Sequence, residues 1–140
     1  HAALKREVVL RYPFDETLIM SEDQAWAKTV LRAGYKLRYV PQATVYHAHH
    51  YTLSGAFRRN FDSGYSLRGM ARGNFAVTLR DWLTYLRGEF ALARREEGLR
   101  SWPWIVLYET ARAAGFFLGS QGHLLPRWVR QRLSWHRAYW

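Results

Sequence analysis

Hydrophobic and polar positions change rhythm once along this chain, near Tyr51. Ahead of that point, Ala2 to Tyr12 suits a short helix stopped by Pro13, and Pro13 to Met20 reads as an irregular loop. Ser21 suits an N-cap, with Glu22 and Asp23 in a first helical turn. Trp26, Thr29, Val30 and Ala33 then share one face, and Gly34 supplies the stop. Leu37 with Tyr39, and Thr44 to Tyr46, read as two short strands split by Pro41. After His50 the period becomes helical: Phe57, Phe61 and Tyr65 lie four apart, with Arg58, Arg59, Arg68 and Arg72 mostly off that stripe. Further helices are predicted over Asn74 to Arg95, Trp102 to Leu118 and Pro126 to Leu133, with breaks at Gly98 and at Gly119 to Gly122. The pattern therefore predicts an α/β front over residues 1–50, a helix plus short strands, and a mainly α-helical region over residues 51–140.

Composition narrows the class. Of the 140 residues, 49% are hydrophobic and 16% aromatic, which argues for a packed core and against a disordered tail. There is no cysteine, so no disulfide or thiolate site is in play. Basic residues number 21 against 11 acidic ones, for a formal charge of +10, and only Lys5, Lys28 and Lys36 are lysines. An arginine surface points to phosphate-bearing partners: nucleic acid, anionic lipid or a diphosphate ligand. The most apolar stretch, Trp102 to Gly119, carries Glu109 and Arg112, so no segment is expected to span a bilayer.

Charge is also unevenly placed. Asp15, Glu16, Glu22 and Asp23 crowd together, whereas beyond Gly98 only Glu109 faces six arginines. The segment FDETLIMSEDQAWAKTVLRAGYKLRYVPQATVYHAHH puts a carboxylate at a helix start and a histidine cluster just past the second strand. A carboxylate beside a metal-binding histidine suits general-base chemistry next to a Lewis acid, although acids at helix starts are common for purely structural reasons. His47, His49 and His50 together suggest zinc, but no cysteine or spaced carboxylate completes a structural site.

The order "FDE…SEDQAW…RAGYKLRYVPQATVYH" resembles the acceptor-side half of the GT-A-type, family-2 glycosyltransferases, particularly bacterial rhamnosyltransferase-like members. The stretches YTLSGAFRRNFDSGYS and LPRWVRQRLSWHRAYW resemble the C-terminal ends of the same enzymes. The resemblance implies an inverting, metal-dependent transfer of a sugar such as rhamnose from a nucleotide-sugar donor, in bacterial surface polysaccharide synthesis. It implies Asp23 as catalytic base, Glu22 as its neighbour and His47 as a ligand of Mg²⁺ or Mn²⁺. Arg58 and Arg59 are candidates to reach the diphosphate. The family's DXD metal motif occurs nowhere in this chain, so the resemblance implies a fragment, inactive alone, whose nucleotide-binding half would precede residue 1.

The run Arg127, Trp128, Arg130, Arg132, Trp135, Arg137 and Trp140 reads as a membrane-interface end, because arginine and tryptophan both suit the headgroup layer. With a lipid-linked saccharide acceptor, this predicts a cytoplasmic protein peripheral to the inner face of the plasma membrane. Apolar surface left by the missing half would favour a homodimer. The alternative is a non-catalytic basic module for anionic lipid or nucleic acid. Nucleic acid is disfavoured by the acids around Asp23 and the lack of any recognition-helix, RNP-like or GXXG signature.

Overall fold

The computed structural model describes residues 2–45, 51–69, 74–96 and 98–140. It divides into two compact units, His1–His50 and Tyr51–Trp140.

In the first unit, α1 spans Arg6–Arg11 and α2 spans Glu22–Arg32. Val8, Trp26 and Val30 are buried at the centre, with Val9, Tyr12, Phe14 and Tyr35 packed around them. The Trp26 indole stacks on Phe14, ring centroids 5.5 Å apart, and donates its N–H to the Tyr12 carbonyl at 2.6 Å. That bond satisfies the one polar atom of a buried tryptophan. α2 ends in a Schellman motif. Gly34, at φ +88°, donates to Leu31 O, and Tyr35 N reaches back to Val30 O at 3.0 Å.

Two expectations fail in this unit. Ser21 does sit at the N-cap of α2, but in the left-handed region at φ 62°, and its side chain makes no capping bond to the helix. The two strands of the α/β front are absent among the described residues; Tyr46 lies outside them. Ala43 N donates to Val40 O and Thr44 Oγ1 to Pro41 O, so residues 40–44 form a turn. The alternation at Leu37 and Tyr39 is real, yet both side chains are exposed, Tyr39 by 87%. A strand needs a ladder partner and a covered face, and this segment has neither among the described residues. Trp26 accordingly packs between α1 and the loop that follows it.

The second unit is helical as the period predicts. It contains α3 (Leu53–Leu67), α4 (Phe75–Glu96), α5 (Trp102–Ser120) and α6 (Arg127–Leu133), with short 3-10 turns at Gly98–Ser101, Gly122–Leu124 and Arg137–Tyr139. Thr52 caps α3 by accepting from Gly55 N at 3.1 Å, and Asn74 caps α4 by accepting from Ala76 N at 2.8 Å. α5 packs against both α3 and α4.

The α3–α5 contact is unusually close. A Cβ at Gly115 would lie inside contact distance of the Phe57 carbonyl, one at Gly119 of the Phe61 carbonyl, and one at Gly64 of the Phe116 carbonyl. The pairs Phe57 with Gly115 and Phe61 with Gly119 rise together, so α3 and α5 run parallel. α4 runs back between them in sequence, its Phe75 meeting Phe117 and its Phe90 stacking on Trp102.

Candidate functional site

The acidic segment is organised from the loop outward. Asp15 Oδ1 accepts from Thr17 Oγ1 at 2.6 Å and from Thr17 N at 2.9 Å, a local turn that shapes the approach to α2. The Thr17 hydroxyl, and then its amide, hold the Asp15 carboxyl below its ordinary value by favouring the ionised form. Glu22 and Asp23 occupy the first turn of α2 and both are exposed. Asp23 Oδ1 accepts from Gln24 N at 2.8 Å. Because Ser21 does not cap, this carboxylate satisfies one of the unpaired amides of the helix start.

His47 lies outside the described residues, as do His49 and His50. Among the described residues no three histidine, aspartate or glutamate side chains converge as a metal site. Arg58 and Arg59 lie on α3, in the second unit, and are half-buried. The Arg59 guanidinium stands 5.3 Å over the Tyr51 ring. The pairs Glu22–Asp23 and Arg58–Arg59 therefore belong to different units.

Two polar sites in the second unit are absent from the sequence reading. Asp62 is fully buried. Its Oδ2 accepts from Trp135 N at 3.0 Å and His136 N at 2.9 Å, and lies 3.1 Å from His136 Nδ1. It ties the segment after α6 to α3. Beside it, Tyr65 meets Trp140 edge-on at 4.6 Å and accepts at its hydroxyl from the Arg130 guanidinium at 2.9 Å. The second is Glu109, buried on α5 and paired at 2.7 Å with Arg112, which also lies 5.2 Å over the Tyr85 ring of α4. An acid one position from a helical stripe carries no periodic mark, so nothing local distinguishes Asp62 from a solvated side chain.

Of the C-terminal arginine and tryptophan run, Trp140 and Arg130 are used inside the molecule, while Arg127, Arg132 and Arg137 are exposed. Trp140 is buried, Trp135 packs edge-on against Tyr51, and Trp128 alone of the three is mostly exposed. No helix among the described residues is long and apolar enough to cross a membrane.

No family model matches the chain, and no solved structure does. Two curated proteins are similar to it: the O-antigen chain rhamnosyltransferase WbaN of Salmonella anatum and the O-antigen chain rhamnosyltransferase RfbN of Salmonella typhimurium LT2. Each is 28% identical over 130 residues, which is 91% of this chain and 41% of the relative. The chain thus spans about two fifths of the length of the relatives it matches, and its sequence is similar to rhamnosyltransferases over nearly all of its own length.

Proposed function

We propose that this chain is the acceptor-side portion of a GT-A-type, family-2 inverting glycosyltransferase that builds O-antigen or a related bacterial surface polysaccharide. The observation that carries the reading is the similarity to two O-antigen rhamnosyltransferases across 91% of the chain. The donor is a nucleotide-activated sugar such as rhamnose, and the acceptor a saccharide, free or lipid-linked, met at the cytoplasmic face of the plasma membrane.

In this reading Asp23 accepts the proton of an acceptor hydroxyl as that oxygen attacks the anomeric carbon. The new carbon–oxygen bond forms on the face opposite the departing nucleoside diphosphate, whose bond to the sugar breaks with its electron pair. Exposure of Asp23 at the start of α2 supports this role, since an acceptor can reach it. Glu22 shapes the same corner, and Arg58 and Arg59 serve the diphosphate. The described residues do not by themselves form a metal centre. His47 is proposed as this chain's one ligand to a divalent cation, Mg²⁺ or Mn²⁺, which when bound neutralises the leaving diphosphate.

The test is sugar transfer by the protein that carries these residues, comparing wild type with Asp23→Asn at matched helical content. Asparagine keeps the shape but accepts no proton, so turnover should fall on the order of 10²-fold or more. Near-normal turnover in a folded variant would reduce Asp23 to a helix-start acid.

A further inference from the structure

α5 is apolar on more sides than its two neighbours use. Its glycine side meets α3 and another side meets α4, yet Leu107, Ala111, Ala114 and Leu118 form a third stripe at helical spacing. Leu107 is 55% exposed and Leu118 39%. A helix that is hydrophobic all round expects cover on every side. The open stripe continues onto α4, where Phe75, Leu79 and Leu83, four apart, are also exposed, Phe75 by 64%. Between the two stripes lies a groove of about 310 Å³, walled by Phe75, Leu79, Trp82, Ala114, Phe117 and Leu118.

Charge selects what covers this face. Arg80, Arg87 and Arg94 recur every seven residues, so they share one side of α4 and are exposed throughout; Arg80 and Arg87 lie three and four positions from Leu83, and Arg80 pairs with Asp81 at 3.1 Å. Residues 51–140 as a whole carry 14 arginines against 6 acids, a net +8. A second copy brings the same net positive charge, and like charges disfavour that pairing. An anionic lipid surface complements both features. It takes the leucines into the acyl boundary, a chain into the groove and the arginines into the headgroup layer.

We propose that the open apolar face of α4 and α5, bordered by the Arg80–Arg87–Arg94 ridge, docks on an anionic lipid bilayer. The surface lies on the membrane and does not cross it. This places a membrane contact on the helical hairpin, separate from the C-terminal run, whose Trp140 and Arg130 are held against Tyr65. The proposal shares with the proposed function only its membrane setting and stands on the second unit alone.

The experiment is co-sedimentation of the purified chain with phosphatidylcholine vesicles, with and without phosphatidylglycerol, across a salt series. Wild type should bind the anionic vesicles, more weakly as salt rises. The Leu107→Gln, Leu118→Gln pair should lower the partition coefficient on the order of 10-fold or more at unchanged helical content. The Arg87→Gln, Arg94→Gln pair should flatten the salt dependence. Hydroxyl-radical footprinting of wild type should show vesicle protection at Leu79, Leu107 and Leu118, a readout that stands even where a variant unfolds. The idea is overturned if wild type ignores anionic vesicles, or if the footprint leaves these leucines unprotected. It also fails if Trp128→Ala removes binding while the leucine pair does not, or if the leucine pair instead dissolves a dimer. Asp23→Asn should leave vesicle binding intact, so failure here and failure of the transferase reading remain distinguishable.

Discussion

Asp62 and Asp15 are both aspartates that accept two or more hydrogen bonds, but they sit in opposite environments and answer to different tests. Asp62 has no exposure and holds two backbone amides of the segment after α6. Its removal leaves those donors without their acceptor, so Asp62→Ala should destabilise the second unit by about 1–3 kcal/mol in urea unfolding. A change below about 0.5 kcal/mol, the range of neutral surface substitutions, would show that the tie contributes little. Asp15 is exposed, and its bonds from Thr17 act on its titration. Because the folded value is lowered, the ordering it lends to the loop is present above the ordinary carboxylate range. It is lost as pH falls through the lowered value. Thr17→Val removes the hydroxyl, the larger of the two causes, and should raise the Asp15 midpoint in an NMR titration. An unmoved midpoint would assign the shift elsewhere.

At the scale of elements, the same residue type has opposite meanings on adjacent helices. Gly115 of α5 abuts the Phe57 carbonyl, whereas Gly88 of α4 has open space where its Cβ would be. Gly115→Ala should therefore destabilise by about 1–3 kcal/mol through forced separation of α3 and α5. Gly88→Ala should stabilise by ~0.5–1 kcal/mol through helix propensity alone. Thermal unfolding of the two variants, with shifts of opposite sign, checks the pairing. Among the described residues the α-helices were legible because helical period is local: Phe57, Phe61 and Tyr65 announce α3. The strand at 37–39 was misread because alternation is local while a ladder partner is not, and no strand forms at 44–45 among the described residues. Gly115 and Gly119, four apart in an apolar run, did carry a readable signal of close helix contact, but Gly119 reads as the start of a break. Of the candidate site, the start of α2 with Glu22 and Asp23 was legible from charge and N-terminal preference. Asp62 was not, since its partners lie more than seventy residues away.

At the scale of the whole chain, the parallel contact of α3 with α5 sets a timetable. α4 lies between α3 and α5 in sequence, so it must be made and turned back before Gly119 can reach the Phe61 carbonyl. At ~5–20 residues per second, a ribosome needs roughly 3–12 s to advance from Phe61 to Gly119. Throughout that interval the residues destined for the α3 core have no α5 to cover them. The aromatic stripe of a newly made α3 is then exposed to whatever apolar surface is nearest, and synthesis speed becomes a condition for correct assembly.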